Sequence, residues 1–471
     1  MRRTGARAHR RTVSAALLVV ALATSAAAQE ARQRQAPPPG GQPRDFWLAE
    51  PRTFTLDNGM GVTLVQYGTV PKAGVQLNVR AGNLNESASE VWLSDLAADL
   101  MQEGTTSRTA AQVAEQAAGM GGQVFVNVGL DESGVGGDVL AEFAPDFVRL
   151  VADIARNPAF PAGELPRLKA NRARNLTVAL RQPGSITLAR LREALYPDHP
   201  YGRTFPTAEQ LNGYTVEQIR AFHAANWGAA RAHLTVVGIF DGRAVEAAIR
   251  EALGSWAGGP AALTNVPSPV AHRDLLTSDR PGAPQSTLAI AIPVANPSSP
   301  DWIPLVVTNT MLGGYFSSRI TANIREDKGY TYSPNSAVST RYRDSYWVQN
   351  ADVTTAQTGP SLREIFYEID RIRAEAPPGA ELADVQNYLA GTFVLSNSTR
   401  GGIAGQLTFV RFHGLDRSYL TNYVRNVFAV TSADVHRIAL LYLDPARMLI
   451  TVTGDLTVIR DQLAPYQRTA P

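Results

Sequence analysis

A long internal repeat is the sequence feature that most limits how this chain can fold. The segment from Thr215 to Gly238, read as a helix followed by a strand, recurs from Thr431 to Gly454, and both ends are shifted by 216 residues. The pairs Glu164-Leu165 and Glu381-Leu382 lie 217 residues apart. Thr is a favoured N-cap residue, which suits the start of both helices. The repeat therefore predicts two similar halves, although 471 residues alone would suggest about three domains.

Each half begins with strands and continues with helices. Strands are predicted over 75–80, 124–128, 287–293 and 346–352, and helices over 146–156, 164–180, 362–375 and 381–396. Because strict alternation of strand and helix is scarce, we expect an α+β fold of two homologous domains, each a mixed or antiparallel sheet with helices packed on one face. The stretch 258–269, rich in Gly, Pro, Ser and Ala, is the predicted linker between domains 46–257 and 270–471.

The N-terminal region reads as an export signal. Residues 1–28 combine a basic start, an apolar run and a small-residue cleavage site at their end. Residues 29–45, rich in Gln, Pro and Arg, have little to bury and are expected to form a flexible leader. The pair Arg10-Arg11 leaves open whether export is of the general or the twin-arginine type. We expect the mature protein to reside in a bacterial periplasm.

Composition excludes several classes of function. Without the five arginines of the signal, the chain has 39 basic and 42 acidic side chains, a net charge of −3. Neither nucleic acid nor anionic lipid is therefore an expected partner. The apolar run 13–23 is too short for a membrane span, which needs about 20 residues. The absence of cysteine excludes disulfides, thiolate metal sites and cysteine nucleophiles.

A motif over residues 313–333 carries the candidate chemistry. It reads Gly-Gly-Tyr-Phe-Ser-Ser-Arg-Ile at 313–320 and Arg-Glu-Asp-Lys-Gly-Tyr-Thr-Tyr-Ser at 325–333. Residues 317–328 have helical periodicity that Gly329 would end, and a strand would begin at Thr331. The first two glycines are expected to permit a tight turn into the helix.

Arg325 and Tyr332 lie on either side of this predicted reversal, so they can converge on one point. Both side chains are hydrogen-bond donors, and donors aimed at a carbonyl that becomes an oxyanion promote peptide hydrolysis. A plainer interpretation pairs Arg325 with Glu326 or Asp327 and packs Tyr332 at a domain edge.

The motif resembles the substrate-binding segment of the insulinase/pitrilysin-like zinc peptidases, and the likeness extends from about residue 52 to residue 467. It implies that Arg325 and Tyr332 hold the carbonyl of the scissile bond. Some members of this family are heterodimers, in which one subunit binds zinc and the other has lost the zinc motif. This chain resembles that second subunit, such as the alpha-type subunit of the mitochondrial processing peptidase and its bacterial counterparts. The resemblance implies a chamber enclosed with the partner subunit.

The family's zinc motif, His-x-x-Glu-His, is absent. Counting back from Gly104 places Asp95, Ala98 and Asp99 at its three positions. The third ligand would fall near Arg174-Asn175, where no carboxylate is present. Since an alanine cannot take a proton, we expect this chain to bind no cofactor and the zinc to belong to the partner. The two aspartates share a helix face; a solvated face is the favoured reading over another cation site, which would want more oxygen ligands.

Together these observations predict a non-zinc-binding subunit of a heterodimeric periplasmic zinc metallopeptidase, inactive alone. Its expected partners are a homologous zinc-bearing subunit and extended peptides, which would add as a strand to a sheet edge. One alternative is a catalytically inactive peptide-binding or scaffold protein of the same fold. Another is an enzyme of a different class, for which no Ser/His/Asp spacing is evident.

Overall fold

The first half of the chain forms a mixed β-sheet. A computed structural model describes residues 46–264 and 268–467. In chain order the strands of this half are β1 (Arg52–Thr55), β2 (Gly61–Gln66), β3 (Lys72–Val79), β4 (Gly104–Thr105), β5 (Arg108–Thr109), β6 (Phe125–Val128), β7 (Ser133–Leu140) and β8 (Ala232–Gly238). Within the described residues the main sheet has the order β1-β2-β8-β3-β7-β6, and β4 pairs with β5 alone. The β2–β8 pair is parallel, and the other neighbours are antiparallel.

The second half repeats this topology. Its strands are β9 (Asp274–Asp279), β10 (Gln285–Pro293), β11 (Asn335–Arg341), β12 (Asp344–Thr354) and β13 (Leu449–Gly454). In the described part of the chain they form the order β9-β13-β10-β12-β11. The β9–β13 pair is parallel, and the rest are antiparallel. Strand for strand, this order matches β2-β8-β3-β7-β6 of the first sheet, including the position of the parallel pair.

Helices make up most of the remaining regular structure. In chain order they are α1 (Leu93–Met101), α2 (Ala110–Gly119), α3 (Ala144–Arg156), α4 (Leu165–Ala179), α5 (Pro183–Leu195), α6 (Ala208–Gly213), α7 (Val216–Asn226), α8 (Gly242–Leu253), α9 (Trp302–Asn309), α10 (Arg319–Thr321), α11 (Thr358–Ala374), α12 (Gly379–Ser396), α13 (Arg400–His413), α14 (Ser418–Thr421), α15 (Tyr423–Ala429), α16 (Ser432–Tyr442) and α17 (Leu456–Leu463). Two segments are π-helical, Thr310–Gly314 after α9 and Ala322–Asp327 after α10.

One face of each sheet is covered by helices of its own half. Side chains alternate along a strand, so one set of residues faces these helices. In the first half Leu77 of β3 belongs to a buried cluster that includes Phe147 of α3. In the second half Ile290 of β10 shares a buried cluster with Ile369 of α11 and Ile438 of α16. The expected α+β class, with mixed sheets and helices on a sheet face, is confirmed.

The opposite face of each sheet is covered by a helix from the other half. Leu191 of α5, in the first half, packs with Ala289 and Leu449 of the second sheet. Ile403 of α13, in the second half, packs with Val237 of the first sheet. The starts of these helices, residues 183 and 400, are 217 apart, the spacing of the sequence repeat. The exchange of helices between halves was not foreseen from sequence.

The two threonines that begin the repeated helices act as helix caps. The Thr215 hydroxyl accepts a hydrogen bond from the backbone of Gln218 at the start of α7, and the Gln218 side chain accepts one in return. Thr431 and Asp434 form the same reciprocal cap at the start of α16. Each cap satisfies two backbone donors that the first helical turn leaves free.

Some expectations lie outside the described residues. The signal over 1–28 and the leader over 29–45 belong to this group, as does part of the linker 258–269. Within 46–264 and 268–467, no helix combines the length and apolar character needed to cross a membrane. The division into domains 46–257 and 270–471 remains a prediction.

Candidate functional site

The reversal between Arg325 and Tyr332 brings the two side chains together. Arg325 lies in the π-helical segment Ala322–Asp327, and Gly329 then turns the chain with a φ of +64°. The backbone N–H of Tyr330 donates to the carbonyl of Ile324 at 2.8 Å, which closes the turn. The guanidinium carbon of Arg325 lies 5.1 Å from the centre of the Tyr332 ring. Two donors that are seven residues apart in sequence therefore face the same region of space.

The local structure differs from the expected single helix over 317–328. It consists of the short α10 followed by a π-helical segment, in which one extra residue per turn changes the direction of the side chains. Thr331 makes only an isolated bridge to Val353, and β11 begins at Asn335, four residues later than expected. Tyr332 therefore lies in a connecting segment rather than in a strand, which leaves its ring 80% exposed.

Arg325 keeps donors available for a ligand. Its closest acidic neighbour is Glu326, at 3.2 Å between nitrogen and oxygen. The Glu326 side chain is 53% exposed, and ion pairs in such positions contribute about 0–1 kcal/mol. A guanidinium has five N–H donors, so this one contact does not exhaust them. The pairing of Arg325 with Glu326 that the sequence suggested is thus present, and it is compatible with a role of Arg325 in binding.

A cavity of about 390 Å³ opens beside these two side chains. Its lining includes Tyr315, Phe316, Arg325 and Tyr332. The Phe316 ring is 62% exposed and lies 4.3 Å from the guanidinium carbon of Arg325. A cation near an aromatic face is attracted by the ring electrons, so Phe316 and Tyr332 both favour the observed position of the guanidinium.

Buried polar contacts fix the backbone that carries Arg325. The Arg319 guanidinium donates two hydrogen bonds of 2.7 Å to the two carboxylate oxygens of Glu381 at the start of α12. One turn further on, the Asn323 amide donates to Glu368 of α11 at 2.8 Å. Sequence analysis missed both contacts. The signal available was the position of Arg319 inside the motif, since a buried arginine needs an acidic partner.

The two glycines at the start of the motif serve close packing rather than a tight turn. Both lie in the π-helical segment Thr310–Gly314. A β-carbon on Gly313 would lie 2.6 Å from the hydroxyl oxygen of Ser336 and 2.7 Å from the amide oxygen of Gln349. A β-carbon on Gly314 would lie 2.8 Å from the amide nitrogen of Asn309. The missing side chain of Gly313 allows this segment to lie directly against the second sheet, and that of Gly314 allows it to lie against the end of α9.

The positions matching the lost zinc motif form an ion cluster. Asp95 and Asp99 project from one face of α1, and Arg172 of α4 reaches between them. Its guanidinium donates to Asp99 at 2.7 and 2.8 Å, to the Asp95 carboxylate at 3.0 Å and to the Asp95 carbonyl at 3.2 Å. The side chain of each is about one-fifth exposed. The two carboxylates are therefore bridged by an internal cation instead of forming a freely solvated face.

The remaining zinc-motif positions offer no proton acceptor. Ala98 is buried on α1 with 5% exposure. Arg174 and Asn175, where sequence counting put the third ligand, are exposed, and Arg172 lies nearly one turn earlier on the same helix. Among residues 46–264 and 268–467, no group of three or more His, Cys, Asp or Glu side chains could hold a metal ion. The residues at this position do not fit a zinc ion.

A buried carboxyl near this cluster also escaped sequence analysis. Glu86 accepts hydrogen bonds from the backbone of Trp92 at 3.1 Å and of Ser94 at 2.9 Å, at the start of α1. Burial raises the pKa of Glu86 to about 7, and the bonds from Ser94 oppose that shift. The side-chain amide of Asn83 connects Glu86 to Asp95, because its nitrogen donates hydrogen bonds to both carboxylates, at 3.2 Å and 2.9 Å respectively. Glu86 therefore acts as a cap for the first turn of α1.

Comparison with known proteins finds similar sequences among the M16 peptidases. Residues 213–389 match the model of the peptidase M16 inactive domain. The chain is 25% identical over 350 residues to the uncharacterized zinc protease YmxG of Bacillus subtilis, covering 73% of this chain and 84% of that protein. It is also 25% identical over 412 residues to an uncharacterized zinc protease of Mycobacterium bovis, covering 83% and 90%.

Solved structures have the same fold. The crystal structure of a peptidase M16 inactive domain from Pseudomonas fluorescens superposes with a TM-score of 0.80 at 22% identity, covering 86% of this chain and 98% of that one. The periplasmic protease PqqL of Escherichia coli superposes with a TM-score of 0.76 at 16% identity, covering 89% and 47%. Over residues 213–389 in sequence, and in its fold, the chain is similar to proteins of the insulinase-like, or M16, peptidase family.

Proposed function

We propose that this chain is the non-zinc-binding subunit of a periplasmic heterodimeric zinc metallopeptidase. In this proposal Arg325 and Tyr332 hold the carbonyl of the scissile bond of an extended peptide. A homologous partner subunit that carries His-x-x-Glu-His binds the zinc. This chain binds no cofactor and does not cleave peptides alone.

The convergence of two available donors is the observation that carries the proposal. Tyr332 and Arg325 both line one open cavity, the guanidinium carbon lies 5.1 Å from the centre of the tyrosine ring, and the one acid paired with Arg325 among the described residues, Glu326, is itself half exposed. Such donors stabilise the negative charge that develops on a carbonyl oxygen during hydrolysis, and removing one typically lowers the rate about 10²–10³-fold. The buried contacts of Arg319 and Asn323 hold the arginine in place, so little reorganisation is needed when the peptide binds.

The ion cluster around Arg172 supports the idea that another subunit supplies the groups that activate the attacking water. The carboxylates of Asp95 and Asp99 both accept hydrogen bonds from this guanidinium, and Ala98 has no proton acceptor. A second subunit must then supply the groups that activate water. The match of residues 213–389 to the peptidase M16 inactive domain and the zinc-protease names of the relatives agree with a partner of the M16 type.

Edge strands provide the surface on which a peptide can extend. Within the described residues β6 and β11 end their sheets on one side, so each leaves backbone groups without a neighbouring strand. Main-chain pairing to such an edge binds extended peptides with little sequence preference. β11 starts three residues after Tyr332, which places this edge next to the proposed clamp.

The first experiment identifies the partner. The tagged chain is purified gently from a periplasmic extract, and proteins recovered in equal amount are identified by mass spectrometry. Recovery of a protein of similar size with His-x-x-Glu-His supports the heterodimer. Recovery of this chain alone favours the alternative, a catalytically inactive binding or scaffold protein.

The second experiment tests the clamp in the reconstituted heterodimer. Arg325→Ala and Tyr332→Phe are each expected to reduce turnover about 10²-fold or more without preventing assembly. The matched controls are Arg243→Ala and Tyr367→Phe, because both side chains are exposed in other parts of the fold. Turnover that is equal in the clamp variants and in the controls removes Arg325 and Tyr332 from the mechanism.

A further inference from the structure

A separate cavity of about 570 Å³ lies in the second half of the chain. Its lining includes Arg273, Arg363, Phe366 and Tyr466. Arg273 comes directly before β9, Arg363 and Phe366 lie on α11, and Tyr466 follows α17. Since the lining shares no residue with the cavity beside the proposed clamp, this cavity has no role in the proposed function.

Arg273 carries a positive charge without an acidic partner in the described part of the chain. Its guanidinium donates one hydrogen bond, of 3.0 Å, to the carbonyl of Pro445, and its carbon lies 5.0 Å from the centre of the Phe366 ring. Burial lowers the pKa of Arg273, because partial removal from water disfavours the charged form. By contrast, Arg172 and Arg319 both contact carboxylates of the chain. The guanidinium of Arg273 therefore has donors and a charge that an external anion could satisfy.

A second arginine acts on the same place. Burial raises the pKa of Tyr466, and the positive charges of Arg363 and Arg273 oppose that rise, so both guanidinium groups lie near this phenol. The acid in the lining, Asp370, lies 3.7 Å from Arg373, one turn further along α11. Two arginines and one aspartate give the lining a net charge of +1. A single negative charge on a ligand would balance it.

Rings form much of the remaining wall. The Phe366 and Tyr466 rings are stacked, with 5.8 Å between their centres and 22° between their planes. Pro445 and Pro465 add two further rings to the lining. Contact with such surfaces removes the apolar part of a ligand from water, which favours a ligand with an aromatic or bulky apolar body.

We propose that this cavity binds a carboxylate attached to an aromatic or large apolar body. The carboxylate lies on Arg273 and Arg363, and the body lies on the rings of Tyr466, Pro445 and Pro465. A planar guanidinium can donate two parallel hydrogen bonds to a carboxylate, which makes arginine well suited to this ligand. A free aromatic acid and the C-terminal residue of a peptide both offer this chemistry.

Ligand-observed NMR titration of the full mature chain tests the proposal. The main probe is N-acetylphenylalanine, which has the carboxylate and ring of a peptide's last residue. We expect a Kd of about 1 mM or tighter, an ordinary affinity for a ligand of this size. N-acetylphenylalaninamide lacks the charge and should bind about 10–100-fold more weakly. N-acetylglycine lacks the ring and should bind at least about 10-fold more weakly.

Variants locate the site. In Arg273→Gln the preference for the acid over the amide should fall below about threefold. Arg363→Gln should also reduce it, and because Arg363 is exposed, this variant tests the site even if Arg273→Gln does not fold. Arg243→Gln replaces an exposed arginine on α8 and should leave the preference unchanged.

The outcomes also separate this site from the clamp and distinguish the two ligand sources. If Arg325→Ala abolishes the preference for the acid and both Arg273→Gln and Arg363→Gln retain it, the probe binds at the clamp and the proposal is overturned. Equal binding of acid and amide by the unmodified chain, or binding of neither, also overturns it. A second probe, 3-phenylpropanoate, has no peptide group. Binding of it as tight as that of N-acetylphenylalanine supports a site for free aromatic acids, whereas binding at least about 10-fold weaker supports a site for the end of a peptide.

Discussion

Replacing Arg172 by methionine should destabilise the first half of the protein measurably. The substitution removes three hydrogen bonds to carboxylates and leaves Asp95 and Asp99 facing each other one helical turn apart. Breaking a fully buried ion pair costs about 3–5 kcal/mol, whereas an exposed pair contributes about 0–1 kcal/mol. Because these side chains are about one-fifth exposed, we expect a loss of about 2 kcal/mol.

Thermal unfolding followed by calorimetry and circular dichroism provides the measurement. The entropy of unfolding is about 2.1 cal/mol/K per residue, and each half has about 210 residues. A loss of about 2 kcal/mol therefore corresponds to a Tm decrease of about 4–5 °C. If both halves unfold in one transition, the decrease is about half as large. Arg174→Met is the matched control, since Arg174 lies on the same helix and is exposed. It should change Tm by less than about 1 °C.

A rescue experiment distinguishes unpaired charge from lost packing. The triple variant Asp95→Asn, Asp99→Asn, Arg172→Met carries no charge in the cluster and should regain most of the lost Tm. If the destabilisation came from the arginine's methylene groups, the triple variant would stay as unstable as the single one. The reasoning fails outright if Arg172→Met melts within 1 °C of Arg174→Met.

Three further predictions concern other parts of the fold. Glu381→Gln should lower stability by about 1–3 kcal/mol in thermal unfolding, because Arg319 is buried and loses a charged partner. Folding raises the pKa of Glu86 from 4.5 to about 7, so its stability contribution is present below pH 4.5 and lost as pH rises through 7. Glu86→Gln cannot ionise, so its free energy of unfolding relative to that of the unmodified protein should increase between pH 5 and pH 8, by at most about 3 kcal/mol, and its relative Tm should rise with it. Gly313→Ala should cost about 1–3 kcal/mol because its β-carbon would lie 2.6 Å from a side-chain oxygen of β11, whereas Gly391→Ala, with nothing within 4 Å, should be neutral or slightly stabilising.

Features encoded by neighbouring residues could be predicted from the sequence. The helix caps at Thr215 and Thr431 depend on a residue three positions later, so the sequence contains the whole signal. The repeat spacing also predicts that the two sheets have the same strand order, because equal spacings recur along each half. The convergence of Arg325 and Tyr332 belongs to this class, since a turn at Gly329 is enough to produce it.

Contacts between distant residues could not be predicted in this way. Arg172 meets Asp95 across 77 residues, and nothing near either residue marks the other as its partner. The helices α5 and α13 have ordinary amphipathic sequences, from which one cannot predict the sheet against which each helix packs. The π-helical segment Ala322–Asp327 is joined to α11 by the buried hydrogen bond from Asn323 to Glu368, 45 residues away in sequence. Tertiary contacts, rather than local preference, decide all three features.

Two arginines of similar exposure but different surroundings illustrate how hydrogen-bond donors that have no partner within the chain can locate a binding site. Arg172 directs its guanidinium to two carboxylates of α1, so its charge is used within the chain. Among the described residues, the guanidinium of Arg325 has an exposed glutamate and two exposed aromatic rings as its recorded neighbours. The first arginine therefore stabilises the fold, and the second remains available to a ligand. This reasoning requires Arg172→Met to lower Tm without changing turnover per folded heterodimer, and Arg325→Ala to lower turnover without changing Tm. A large fall in Tm for Arg325→Ala would show that its contacts are structural after all.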